Sequence, residues 1–173
     1  MQRVLSGVLA GAVMLLFAAL LSYRGAVAND TQRETQDRAE IEKLMWHYVR
    51  ALDTGNADAY AATFTPDGQF GSGANAVKGH EGLKKMMAGF SQRAAEAEAK
   101  GEKRPPMYHV IANSYLEFTD KDHAHMEAYW MTVFASPGSN TPVRVAAAGR
   151  EVDELARVGG QWLIKLRDVA PQN

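Results

Sequence analysis

Two side chains able to do chemistry stand on one stretch, Tyr48 and Asp53 within Ile41 to Asp53. The apolar residues there fall at Ile41, Leu44, Met45, Tyr48, Val49 and Leu52, the i, i+3, i+4, i+7 spacing of one helix face. Asp53 follows Val49 by four residues and extends that stripe. A carboxylate on an apolar face is costly unless it is paired or hydrogen-bonded. Either it serves a function, or it caps the helix end beside Gly55 and faces water; the helix alone leaves both open. A phenol can hydrogen-bond a developing oxyanion without ionising. A carboxylate and an imidazole can share one proton and act as base and acid in turn. His109, in an apolar run with Ile111, Asn113 and Tyr115 at the same parity, offers such an imidazole, although a single strand histidine is more often a core or surface residue.

Other constellations weigh less. His123-x-His125-x-Glu127 puts two imidazoles and a carboxylate on one strand face, a valid ligand set. The spacing is common and begins at a turn, so a solvated face is the plainer reading; neither a metal nor another cofactor is expected. Arg150 and Arg167 on late strands suit a carboxylate or carbonyl, with surface charge the default for each. Trp46, Met86, Met87, Tyr129, Trp130 and Phe134 are candidates to line a pocket, with ordinary core the alternative for each. The serines lack a nucleophile-elbow context and no phosphate-binding glycine loop is present. The chain has no cysteine, which excludes disulfides, thiolate catalysis and zinc–thiolate sites.

The elements that must position these residues follow in order. A helix from about Asp37 to Asp53 is broken by Thr54-Gly55-Asn56, and Asn56 can cap a short helix over Ala57 to Phe64. Thr65-Pro66-Asp67-Gly68 reads as a turn and Gln69 to Gly71 as a short strand. A third helix, His80 to about Lys100, carries Leu83, Met86, Met87 and Phe90 as its stripe and ends before Pro105-Pro106. From Met107 the period changes from 3.6 to 2. Strands are expected over Met107 to Thr119, His123 to Ala135, Val143 to Arg157 and Gln161 to Val169. Their connections are Asp120-Lys121-Asp122, a Ser136 to Asn140 loop and a Val158-Gly159-Gly160 hairpin turn. Three helices followed by an antiparallel meander is an α+β pattern in one domain.

The first 28 residues stand apart. Met1-Gln2-Arg3 is positive, Val4 to Leu21 is almost wholly apolar or small, and Ala26-Val27-Ala28 is a small-x-small cleavage signal. This reads as a secretory signal peptide, with an uncleaved membrane anchor as the alternative. Residues 29–36 are a polar, flexible lead-in, and 37–173 the folded domain. The expected location is periplasmic or secreted. Cleavage removes Arg3 and Arg24, taking the formal charge from −1 to −3. No basic block remains, so nucleic acid is not an expected partner.

The order of elements resembles the nuclear transport factor 2-like superfold, and within it the SnoaL-like group that includes scytalone dehydratase and bile-acid dehydratases. The resemblance rests on Tyr48 with Ala51-Leu52-Asp53-x-Gly55-Asn56-x-Asp58-Ala59, on Phe64-Thr65-Pro66-Asp67-Gly68-x-Phe70 and on Gly79-His80-Glu81-Gly82-Leu83. Two later motifs complete it: His109-x-x-x-Asn113 and Gly149-Arg150-x-x-Asp153-x-Leu155-x-Arg157-x-x-Gly160-x-Trp162. Glu151 stands where the family has an aromatic. The resemblance implies a cone, a curved antiparallel sheet wrapped over three helices with a pocket between. It implies that Tyr48 and Asp53 face His109 there, with Trp46, Met86, Asn113, Tyr129, Trp130, Arg150 and Arg167 available to hold a small apolar or aromatic ligand. It implies cofactor-free lyase or isomerase chemistry, or a non-catalytic binding or dimerisation module. A homodimer through the outer sheet face is expected, since the His123 to Ala135 strand would otherwise expose a sizeable apolar area.

Overall fold

The computed structural model describes residues 30–101, 105–135 and 142–171. The expected signal segment and the Ser136 to Asn140 loop lie outside them. The chain divides into two compact units, Met1–Ala39 and Glu40–Asn173. In the first, residues 30–39 are helical, so the polar lead-in has regular structure. Among the described residues no helix is long and apolar enough to cross a membrane.

The second unit opens with helix α1, residues 40–54. Its buried stripe is Ile41, Leu44, Met45, Tyr48 and Ala51. The helix ends in a Schellman pair: Gly55 takes φ 66°, its amide donates to Leu52 O at 3.2 Å, and the Asn56 amide donates to Ala51 O at 2.9 Å. Asn56 then caps α2 (Ala57–Ala62), its Oδ1 accepting from the Ala59 amide at 3.0 Å. Next come β1 (Phe64–Phe70), β2 (Val77–Lys78) and α3 (Gly79–Ala99). The strands β3 (Met107–Phe118), β4 (His123–Phe134), β5 (Arg144–Val158) and β6 (Gln161–Asp168) complete the unit. One curved sheet forms in the order β2-β1-β6-β5-β4-β3. Its neighbours are antiparallel except for β1 and β6, which run parallel. The helices and one sheet face close the core on Tyr60, Phe64, Leu83, Met87, Met126, Leu155, Trp162 and Ile164.

The sheet has six strands: the four of the expected meander, a β1 longer than the short strand expected over Gln69 to Gly71, and β2, which was not expected. The Thr65 to Gly68 stretch read as a turn lies inside β1, where the pairing with β6 slips between Phe64 and Gln69. A Cβ on Gly68 would lie 2.8 Å from Phe64 Cβ and 2.9 Å from Ile164 O. Glycine is used there for close approach to β6, not for a chain reversal. Two more slips decide which residues face inward. Asn113 (φ 51°) and Ser114 together oppose Ala128 in a bulge between β3 and β4. Lys165 is the extra residue where β6 pairs with β5. Each shifts strand parity by one, so side chains beyond it change faces.

Candidate active site

Asp53 reaches across from the end of α1 to β3. Its Oδ1 accepts from the His109 backbone amide at 2.9 Å and meets His109 Nδ1 at 2.8 Å. The carboxyl side chain is 7% exposed and the imidazole 19%. Arg50 Nη1 stands 4.0 Å from Asp53 Oδ2. The carboxylate on the apolar stripe is therefore paired, as the desolvation cost requires. With Asp53 ionised, Nδ1 carries the ring proton and Nε2 is left as a base; no partner is recorded for Nε2 among the described residues.

Register gives the pair its surroundings. His109 lies opposite Thr132, and Ile111 opposite Trp130, so all four share the inner face. Trp130 lies opposite Gly149, and a Cβ there would fall 2.9 Å from the indole ring. The ring is fixed by donation from Nε1 to Val169 O at 2.9 Å. The pair thus has an apolar wall of Ile111 and Trp130 beside it. Met86 packs against the core from α3.

Tyr48 does not join this group. About 100° per residue puts it roughly 140° round α1 from Asp53. It points instead into the core, 5.2 Å from the Tyr60 ring and with Arg167 stacked 4.0 Å above its own. Asn113 and Tyr115 leave the parity of His109 at the bulge; both are exposed. Tyr129 and Arg150 oppose each other on the outer sheet face, exposed, on the side opposite His109. Trp46 is 55% exposed, with Arg50 over its ring at 5.3 Å. His123 pairs with Asp120, and His125 meets Glu154 at 2.9 Å and Glu127 at 3.5 Å, so each imidazole has its own carboxylates on the solvent side.

A second charged group lies at the centre of the core. Arg167 binds Glu151 through Nη2, and Asp153 Oδ2 through Nη1 at 3.1 Å. Met45 Sδ is 3.3 Å from the same Nη1. All three charged residues are 1% exposed or less. The Lys165 bulge turns Arg167 inward, against the surface position that strict alternation gives it. Burial lifts the Asp153 carboxyl to about 7, with Arg167 opposing and Glu151 adding to the rise. Burial also opposes charge on Arg167, but the carboxylates of Asp153 and Glu151 outweigh it and hold the guanidinium protonated. Desolvation raises the Tyr48 and Tyr60 phenols, so neither ionises near neutral pH. Glu151 at an aromatic position of the SnoaL-like pattern was the sequence signal for this cluster, together with Asp153 at the same parity.

Residues 33–168 match the SnoaL-like domain. The chain belongs to that family. Solved structures share the fold of this SnoaL-like domain. A candidate scytalone dehydratase from Novosphingobium aromaticivorans is 22% identical, with TM-score 0.61 over 80% of this chain and 85% of that one. An NTF2-like protein with a cystatin-like fold from the same organism is 20% identical, with TM-score 0.65 over 82% and 86%. A protein from Catenulispora acidiphila in complex with S-DNPA is 21% identical, with TM-score 0.61 over 77% and 91%. No curated protein matches the chain.

Proposed function

We propose that this SnoaL-like domain is a cofactor-free acid–base lyase or isomerase for a small, largely apolar, oxygenated molecule. The observation that carries the reading is the Asp53–His109 pair, mostly desolvated and set beside Ile111 and Trp130. His109 Nε2 takes a proton from carbon next to a carbonyl. Asp53 holds the ring in the right tautomer and balances the imidazolium. The imidazolium then returns that proton, either to a departing hydroxyl, which leaves as water, or to a more distant carbon, which moves the double bond. Trp130 offers a flat apolar surface to such a ligand. The fold neighbour from Catenulispora acidiphila, which holds a small ligand, supports the reading in general form.

Phenolic and steroid-like β-hydroxy ketones form the test panel, followed by absorbance and by His109 ring signals in NMR. Turnover that disappears in His109→Gln while binding persists supports the enzyme. Binding without turnover in the unaltered protein, unchanged in Asp53→Asn and His109→Gln, establishes a binding module in its place.

Two further proposals concern the setting. The outer sheet face exposes Tyr108, Val110, Tyr129 and Val145, an apolar patch suited to a second copy of the chain. A monomer mass by light scattering at micromolar concentration counts against it. Export with cleavage after Ala28 is tested by intact mass from the native host.

A further inference from the structure

A groove of about 770 Å³ runs along another side of α1. Neither Asp53 nor His109 lines it. One bank is the stripe Lys43, His47, Arg50 and Thr54, residues at i, i+4, i+7 and i+11 that stack along one helix face. The other bank comes from α2 and from the turn into β6. The floor is apolar: Leu44 and Ala51 of α1, Ala59 and Ala62 of α2, and Leu163 of β6. The size is that of sites for small organic ligands, which span roughly 300–1,000 Å³.

Its polar groups are unbalanced. Among the described residues the only carboxylate in the lining is Glu40, and its Oε2 lies 3.6 Å from Arg157 Nη1, so that charge is already answered. Arg157 in turn stacks 4.6 Å over the Trp162 ring. Among the described residues Lys43 and His47 have no recorded ion-pair partner. Trp162, which also lines the groove, is buried, and among the described residues its Nε1 has no acceptor. Donors therefore outnumber free acceptors beside an apolar floor. A solvated face of surface cations would need no such floor.

We propose that this groove is a binding site for an apolar monoanion, a carboxylate or sulfonate carried on a ring system or short hydrocarbon body. The body lies on Leu44, Ala51 and the α2 alanines, and the anion meets Lys43 and Arg50. The site stands independently of the acid–base reading, because its lining omits the Asp53–His109 pair. Arg50 links the two, since its guanidinium also faces Asp53.

The test uses the full domain with 1-anilinonaphthalene-8-sulfonate and its uncharged counterpart N-phenyl-1-naphthylamine, both followed by fluorescence. The sulfonate is expected to bind more tightly and to weaken as salt rises. Lys43→Gln should weaken it about threefold and Lys43→Glu about tenfold or more, as loss and reversal of one half-screened charge require. Each variant should leave the neutral probe within about twofold and the melting temperature unchanged. Trp130→Ala should leave sulfonate binding as it was. Equal affinity for the two probes, or sulfonate binding indifferent to Lys43→Glu, overturns the proposal. Loss of binding in Trp130→Ala also overturns it, by assigning the probe to the inner sheet face.

Discussion

The domain holds two carboxylate–cation assemblies, and they differ in almost every physical respect. Asp53 and His109 meet at the rim, where α1 ends and an edge strand begins, with an imidazole bonded to the carboxylate through Nδ1 and still 19% exposed. Arg167, Glu151 and Asp153 meet in the centre, sealed under Tyr48, with a cation that keeps its charge. The rim pair can exchange a proton with something outside itself. The central cluster can exchange one only through Asp153, and at a cost in folding. Burial therefore separates two uses of the same chemistry: one pair suited to a reaction, one cluster built into the fold.

The largest effect expected from this contrast is at Arg167. Arg167→Leu leaves two carboxylates buried with no cation, and stability should fall by about 3–5 kcal/mol in urea unfolding. Combining it with Glu151→Gln and Asp153→Asn should recover most of the loss; no recovery would mean that packing, not charge, sets the cost. Asp53→Asn is expected to lower turnover by about 10² or more while stability changes by no more than about 1 kcal/mol, since the amide oxygen still accepts from the His109 backbone. A large stability loss there would erase the contrast with the centre.

The third prediction is in pH. The Asp153 carboxyl is raised in the folded state to about 7 from an unfolded value of about 3.9. A raised folded value means that the folded protein holds the proton more tightly. The stability this contributes is fully present below the unfolded value and is lost as pH rises through about 7. Asp153→Asn should flatten the melting curve between pH 4 and 8; an unchanged slope would assign the proton elsewhere. The smallest effect belongs to the outer face. The Glu154 hydrogen bond leads the causes that raise the His125 imidazole. Glu154→Gln should cost no more than about 0.5 kcal/mol at pH 5.5 and nothing at pH 8, as for an exposed pair.

Much of the scaffold is legible in the residues. The spacing from Ile41 to Leu52 marks the buried stripe of α1, and Gly55-Asn56 marks both its end and the next cap. Asp120 to Asp122 and Gly159-Gly160 mark two of the reversals between long strands. Asp53 on an apolar stripe leaves a solvated helix end and a paired carboxylate both open, and its contact with His109 is the second. What was hidden is mostly a matter of single inserted residues. Pro66 and Gly68 look like a turn because the residues that reverse a chain also make a bulge. The Asn113 bulge separates Tyr115 from His109, and the Lys165 bulge brings Arg167 inside; alternation counted along a strand passes over both. Tyr48 was grouped with Asp53 because they share a helix, yet five residues are not a whole number of turns.

The parallel pairing of β1 with β6 has a consequence in time. Phe64 lies opposite Ile164, about 100 positions later in the chain. At roughly 5–20 residues per second, a ribosome delivers that partner some 5–20 s after β1 has emerged. Throughout that interval Tyr60 and Phe64, both fully enclosed in the finished domain, have no sixth strand to close over them. Translation therefore yields helices and a growing meander first, and the seam last. A chain stopped short of Ile164 leaves β1 without its β6 partner, so the arrival of β6 decides whether the rest closes into a domain.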